Sequence, residues 1–375
     1  MKKILVVALA IVLVSCLLLP ACAEPEPVTP TTPTTPAEPA KPAEPVEPAK
    51  PAEPEKPIEL NYSFHAPPQA SLAKAVLIPW AEDIEKATNG RVKIIQHAGG
   101  SLVGAADAYD AVVSGICDIA QVATEEYPGR FPRSGIHSLP FVYPNTEIAG
   151  IVSHELVNKY MADTELKEVK VLLTAPLHQL HYLGNEPIEK LEDFEGLKIR
   201  SPGKVMASII EAYGGTPVEV STGDLFSALD TGMVDGTFFT WSGSLAFGIK
   251  DATTYRTECG LGTDVFLVVM NRDAFNKLPA DIQKIFNEHS SPEVSRQYAA
   301  AHGAMEAGGK GAIEGSDKGA GNPPIYVLPT EERERWKEAV RPVVDDWIAE
   351  MEAEGLPAQA MIDDAASWVE KYSQP

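Results

Sequence analysis

The chain has 375 residues, with 53 acidic against 31 basic side chains and a formal net charge of −22. That balance speaks against nucleic acid and anionic membrane surfaces as partners, although one arginine can still dominate a buried site. Of the four cysteines none forms a CxxC or a Cys/His group at metal spacing, and Cys117 and Cys259, in apolar settings, read as packed thiols, a pairing between them staying open.

Residues 1–21 start with Lys2 and Lys3 and run apolar from Ile4 to Leu19, an export signal too short for a stable membrane span. The run ends Leu19-Pro20-Ala21-Cys22, which resembles a bacterial lipobox and implies cleavage before a lipidated Cys22. Cys16 is a weaker second candidate, because it would leave Leu17-Leu18-Leu19 in the mature chain, and an ordinary secretory signal is the alternative. Residues 22–57 read as a tether of Pro, Ala, Glu, Thr and Lys, with proline at every third position from Pro27. This matches the three-residue turn of polyproline II, and at about 3.1 Å per residue the reach is on the order of 100 Å. The expectation is a domain held off a membrane by a stiff spacer, with no core in the spacer itself.

Alternation over residues 58–64 predicts a first strand, ending in His65-Ala66-Pro67-Pro68. A helix follows with Leu72, Ala75, Val76, Trp80, Ile84 and Ala87 on one face, stopped by Asn89-Gly90. Next come a strand over 91–95, a Gly99-Gly100 turn, a helix over 107–113 and a strand over 116–122. Strand and helix thus alternate as in an α/β fold with both sheet faces covered. Beyond Ala123 the periodicity is lost. Glu125 and Glu126 read as solvated acids or as contacts for a ligand hydroxyl or amine. Tyr127, Phe131, His137, Phe141 and Tyr143 lie on a loop stiffened by Pro128, Pro132, Pro140 and Pro144. They either line a cleft or cap the core. A helix over 148–161 and strands over 169–174 and 181–183 follow.

In the stretch 193–203, Leu197 and Ile199 alternate with Lys198 and Arg200, and Pro202 ends the strand. Val205, Met206, Ile209, Ile210 and Tyr213 then recur at helical spacing. Arg200 therefore stands at the carboxyl end of a strand, the edge where open α/β sheets bind ligands. Its planar donors match a carboxylate; the competing reading is a solvated surface arginine. A strand over 216–220 leads to Ser221, expected to cap a helix with Asp224 at the capping-box position; that helix stops at Gly232. Residues 234–239 run into Thr240-Trp241, and 265–270 form a strongly β-forming strand. Residues 279–302 and 330–349 read as amphipathic helices, and two short helical stretches follow Leu356. Residues 306–323 read as a glycine-weakened helix or a mobile surface segment.

Taken in order, these parts resemble the DctP family of solute-binding proteins of tripartite ATP-independent periplasmic (TRAP) transporters. The resemblance rests on Asn89-Gly90-Arg91-Val92-Lys93, Gly100-Ser101-Leu102-Val103-Gly104, Ser114-Gly115-Ile116-Cys117-Asp118-Ile119-Ala120 and Leu139-Pro140-Phe141. It continues through Gly196-Leu197-Lys198-Ile199-Arg200, Tyr213-Gly214-Gly215-Thr216-Pro217-Val218 and the block from Leu225 to Gly236. It implies a two-lobed α/β periplasmic-binding fold, with 58–178 and 265–305 in one lobe and 179–264 and 306–375 in the other. It also implies that Arg200 pairs with a ligand carboxylate, that no reaction is catalysed, and that the closed form is recognised by a TRAP permease.

Two departures from the family pattern sharpen the ligand expectation. Leu180 stands where many members carry a second arginine, and Phe239 stands where many carry an asparagine. A second carboxylate would lose its partners, so the expected ligand is an apolar or aromatic monocarboxylate rather than a sialic acid or C4-dicarboxylate. The candidate contacts are Arg200, Phe238, Phe239, Trp241, His178, His65, Glu125 and Tyr127, with Phe238 and Phe239 alternatively filling the core. His178 and His181, three apart on a strand, face opposite sides and are not expected to hold a metal. No cofactor is expected. The alternatives are the binding component of a sensory system and a surface hydrolase; no GxSxG, phosphate loop or HExxH motif supports the latter.

Overall fold

Short apolar strands alternating with amphipathic helices must bury both faces of a sheet, and this chain does so twice. The structure, a computed structural model describing residues 56–127 and 129–374, contains two α/β lobes. Cys22, the leader and nearly all of the tether lie outside the described residues.

In the first lobe β1 (Ile58–Ser63), β2 (Val92–His97), β3 (Ile119–Val122) and β4 (Val169–Pro176) are joined by a later strand. The second lobe holds β5 (His181–Gly184), β6 (Lys198–Ser201), β7 (Thr216–Glu219), β8 (Gly236–Phe239) and β9 (Tyr255–Glu258). The late strand is β10 (Val265–Asn271), and β11 (Tyr326–Val327) completes the second sheet. The orders are β2-β1-β3-β10-β4 and β11-β9-β5-β8-β6-β7. In the first sheet β1 pairs in parallel with β2 and β3, and β10 lies antiparallel between β3 and β4. The chain crosses between lobes after β4 and returns before β10. The two crossings pair with each other: Leu177 N–H donates to Asp264 O at 2.8 Å, Leu180 N–H to Gly262 O at 2.8 Å, and Leu261 N–H to Leu180 O at 3.0 Å.

Helices α1 (Ile78–Ala87), α2 (Ala108–Ser114) and α3 (Thr146–Leu156) precede the first crossing; α4 (Lys204–Ala212), α5 (Leu225–Asp230) and α6 (Trp241–Ala246) lie in the second lobe. After β10 come α7 (Arg272–Lys277), α8 (Ala280–Glu288) and α9 (Pro292–Ala320), then α10 (Thr330–Ala339), α11 (Arg341–Ala353) and α12 (Ala358–Ser373). Trp80 and Ile84 of α1 meet Phe286 of α8 and Tyr62 of β1 in the first core. Phe194, Tyr213, Phe238 and Trp336 form an aromatic second core.

The expected helix over 279–302 is two helices. Ser291 accepts a hydrogen bond from Val294 N–H at 3.3 Å, and Pro292 occupies the first turn, so a new helix starts there. The glycine-rich stretch is not a mobile segment but the second half of α9, a 29-residue helix. At 1.5 Å per residue it is about 44 Å long and runs across both lobes. Its first half packs on α3 so closely that a Cβ on Gly150 would lie 2.6 Å from Ala299 Cβ. Farther along, Ile313 is fully buried with Leu183 and Trp241, and Asp317 faces Arg256 of β9 at 3.1 Å. Ser221 does not begin α5; its hydroxyl takes the Asp224 N–H at 3.2 Å, closing a turn just before the helix.

Residues 306–375 do not all belong to the second lobe. Trp336 of α10 packs there, but Met361 and Ala365 of α12 pack with Ile148 and Val152 of α3 on the first lobe. Between them α11 touches both, Val343 reaching the second core and Trp347 the first-lobe cluster. The C-terminal stretches after Leu356 are one helix, α12. Cys117 and Cys259 are separate buried free thiols in different clusters.

Candidate ligand site at the lobe junction

Arg200 is the third residue of β6 and only 6 % exposed. Its Nε donates to Val220 O at 3.0 Å and its Nη2 to Thr222 Oγ1 at 3.0 Å. The turn after β7 thus braces one edge of the guanidinium. Nη1 has no hydrogen-bond partner among the described residues, and with the second Nη2 hydrogen it leaves the far end of the fork open for two oxygens. In the sheet Arg200 stands beside Thr237 of β8, so Phe239, two residues on, lies on the same face. Phe239 is half-buried, packs with Val218 and Val220 and meets Phe247 edge-on at 6.0 Å.

One acid acts on this cation, and a second acts on that acid. Asp264 precedes β10 in the returning crossing, and its Oδ1 accepts a hydrogen bond from Ser138 Oγ at 2.8 Å. Burial pushes its carboxyl up, opposed by the Ser138 hydrogen bond and by the charge of Arg200. Burial correspondingly lowers Arg200, and Asp264 counters it. Glu125 follows β3. It lies in a short 3-10 turn, Thr124–Glu126, beyond the last β3–β10 pair, Val122 with Leu267. Desolvation, then the charge of Asp264, raises its carboxyl to about 8. Sequence reasoning missed Asp264, Ser138 and Thr222; the one available signal was a lone acid entering the strongly apolar β10.

A second polar group fills the junction behind α6. Ser71 Oγ of the first lobe lies 3.2 Å from Ser242 Oγ of the second and 3.1 Å from His302 Nε2 on α9. Glu306, one turn along α9, accepts the backbone N–H groups of Trp241 and, at 2.9 Å, Ser242, satisfying donors at the start of α6. His178 lies tilted against His302, ring centroids 3.6 Å apart and planes 42° apart, and approaches Glu306 at 3.6 Å. Burial and the neighbouring histidines hold His178 down to about 2, so it is neutral and this approach is not an ion pair.

The other expected contacts are placed differently. Phe238 points opposite to Phe239 and is 3 % exposed among Tyr182, Phe194, Tyr213 and Trp336, so it is core rather than a ligand contact. One face of Trp241 is already covered by His181 at 4.4 Å, and the ring is buried against Leu183 and Ile313. Tyr127 spends its hydroxyl on Tyr109 N–H at 2.7 Å and Ala105 O at 3.1 Å, and its ring packs beside Tyr109 and Phe131. His178 is enclosed by His302, Thr146 and Glu306. His65 is half-buried edge-on to Phe266, with Nδ1 unpaired among the described residues. Of the loop aromatics, Phe131, His137 and Tyr143 cap cores, while Phe141 takes a positive φ of 60° and lies under Arg333. Leu180 packs on the second core.

Among the described residues no three His, Cys, Asp or Glu side chains are grouped to hold a metal ion. A hollow of about 780 Å³ between Pro187–Asp193 and Tyr326–Arg335 contains none of the residues discussed above and belongs to the outside of the second lobe.

The description "bacterial extracellular solute-binding protein, family 7" (DctP) matches residues 63–351. The chain belongs to that family. It is an extracytoplasmic TRAP solute-binding protein, and its relatives are transport proteins rather than enzymes. The C4-dicarboxylate-binding periplasmic protein DctP of Rhodobacter capsulatus is 24% identical over 305 residues, 80% of this chain and 90% of that protein. A TRAP solute-binding protein of Rhodoferax ferrireducens, solved with copurified benzoate, superposes with a TM-score of 0.77 at 24% identity, over 84% of this chain and 98% of that one. Another from Bordetella bronchiseptica, with bound (R)- and (S)-mandelate, gives 0.73 at 26% identity over 84% and 100%. A TRAP periplasmic solute-binding protein of Chromohalobacter salexigens with bound D-glucuronate gives 0.69 at 19%, over 82% and 99%.

Proposed function

We propose that this protein captures an organic acid between its lobes, by preference an apolar or aromatic monocarboxylate, and delivers it to a TRAP permease. The observation that carries the reading is Arg200: buried, braced along one edge by Val220 and Thr222, and open at the other. Phe239 on the same face offers a surface for an apolar body. Relatives with benzoate and mandelate support that preference, whereas D-glucuronate and C4-dicarboxylates mark the range of acids within the family. Capture proceeds by rotation of the lobes about the paired crossings near 177–180 and 259–264. Cys22, once lipidated, anchors the exported chain to the outer face of the cytoplasmic membrane through the proline-rich tether.

Calorimetry of the mature protein against a panel of carboxylates tests the capture. Aromatic or branched monocarboxylates should bind, and Arg200→Ala should abolish binding while the mutant still melts cooperatively. A preference for succinate or a sialic acid, or unchanged affinity in Arg200→Ala, refutes it. Fractionation of cells making Cys22→Ala tests the anchor: that variant should leave the membrane fraction.

A further inference from the structure

Behind α6 the lobes meet through Ser71, Ser242, His302 and Glu306, and the hydrogens of that row can be counted. Pro176 O can only accept, so His302 Nδ1, 3.2 Å away, carries a hydrogen. Burial holds His302 neutral by lowering it to about 4. Its Nε2 is then an acceptor, and the hydrogen between it and Ser71 Oγ, at 3.1 Å, comes from Ser71. A hydroxyl has one hydrogen. Ser71 therefore meets Ser242 Oγ, at 3.2 Å, as an acceptor, and the Ser242 hydrogen is spent there. None is left for Glu306. Yet the Glu306 carboxyl takes the Ser242 N–H at 2.9 Å and is a hydrogen-bond partner of the Ser242 hydroxyl as well. An ionised carboxylate against a hydroxyl oxygen, with no hydrogen between them, is repulsive. The row from Pro176 to Glu306 is one hydrogen short. Among the described residues no neighbour supplies it. His178 Nε2 is 3.6 Å from Glu306 Oε2, beyond hydrogen-bond reach, and His178 is neutral. His181 lies against the Trp241 ring, and Lys310, one turn along α9, is paired with Glu258. The shortage arises only when the lobes meet, because with Ser71 withdrawn the Ser242 hydroxyl is free to donate to Glu306.

Resting on the capture reading, we propose that closure of the lobes on the ligand takes up one proton from solvent, which the Glu306 carboxyl holds and donates to Ser242. Glu306 then donates to Ser242, Ser242 to Ser71, Ser71 to His302 and His302 to Pro176 O, with one hydrogen in each link. The protonated carboxyl keeps lone pairs for the Trp241 and Ser242 N–H groups that it already accepts. Burial favours this form, raising the carboxyl against those same hydrogen bonds. Because the closed state binds the proton more readily than the open one, affinity rises as the pH falls toward the carboxyl range. The protein thus grips its ligand more firmly in mild acid and lets go more readily in alkali.

The test is calorimetry with benzoate, the acid copurified with the Rhodoferax ferrireducens relative, on the unaltered mature protein, Ser71→Ala and Glu306→Gln. Titrations at about pH 5.5 and about pH 7.5, each in buffers of different ionisation enthalpy, count the protons bound with the ligand. The unaltered protein should take up protons at the lower pH and bind about three- to tenfold tighter there. Ser71→Ala leaves the Ser242 hydrogen to an ionised Glu306, so uptake and pH preference should both vanish while binding persists. Glu306→Gln carries the missing hydrogen on its amide at every pH and should likewise bind without uptake. Both variants keep Glu125 and the histidines, so the difference from the unaltered protein reports the row alone. If Glu306→Gln does not fold, Ser71→Ala decides. Heats independent of buffer in the unaltered protein, or uptake that survives in Ser71→Ala, overturn the inference and leave the capture reading intact. Failure of benzoate to bind at either pH overturns the aromatic-acid reading and the inference with it.

Discussion

Ser71 and Ser242, 171 residues apart in the chain and on opposite lobes, meet with their hydroxyl oxygens 3.2 Å apart. His302 receives Ser71 on its other side at 3.1 Å, so the contact is tied to α9 as well. A hydrogen bond between lobes favours the closed form over the open one. Its net worth is about 1 kcal/mol, so Ser242→Ala should speed ligand release roughly fivefold. Stopped-flow dissociation checks this, with thermal melting as the control for an unchanged fold. Identical release rates would mean that the contact does not hold the lobes together.

Thr222 sets the aim of Arg200 without needing to touch the ligand. Thr222→Val keeps the shape and removes the acceptor for Nη2, leaving the guanidinium held by Val220 O alone. Affinity for a carboxylate should fall by roughly three- to tenfold, the equivalent of one neutral hydrogen bond. Melting temperature should barely change. Arg200→Lys should lose more, because a lysine keeps the charge but not the fork.

Stability against pH should show two limbs. Burial holds His178, His181 and His302 down to about 2, 3 and 4 from an ordinary 6.5. These groups bind protons more readily when unfolded, so their contribution is intact above pH 6.5 and is lost as the pH falls toward their folded values. Glu125 behaves oppositely: raised from 4.5 to about 8, it favours the fold at low pH and loses that contribution as the pH rises from 4.5 through 8. The melting temperature should therefore peak near about pH 6.5. Glu125→Gln should flatten the alkaline limb and His302→Gln the acid one, as scanning calorimetry at several pH values would show.

Packing of α3 on α9 predicts a third kind of effect. A Cβ on Gly150 would lie 2.6 Å from Ala299 Cβ and 2.7 Å from Ser295 O, with no flexible chain end to yield. Gly150→Ala should cost about 1–3 kcal/mol, visible as a lower denaturant midpoint. An unchanged midpoint would mean that the two helices separate freely.

Much of the strand and helix order was legible because period-2 and period-3.6 patterns are local. So was the position of Arg200, fixed by a proline and the helix behind it. The rest depends on contacts that no local pattern encodes. Asp264 and Ser138 are 126 residues apart, and neither stretch hints at the other. Phe238 and Phe239 differ only in which face of β8 they occupy. For Tyr127, cleft and core were equally compatible with the sequence, and its hydroxyl is used by Tyr109 and Ala105. The continuity of α9 ran against its glycine content, because burial of Ile313 and the Asp317–Arg256 contact outweigh weak propensity. The break before it was readable after all, in Ser291-Pro292.

That same glycine content has a mechanical meaning. Gly308, Gly311, Gly315 and Gly319 each face open space where a Cβ would stand, so packing does not require them. Alanine at each would raise helix propensity by about 1 kcal/mol without a clash. What the glycines leave in place is compliance, in a helix that, like α11, touches both lobes. Its second half is held to the second lobe at Ile313 and Asp317.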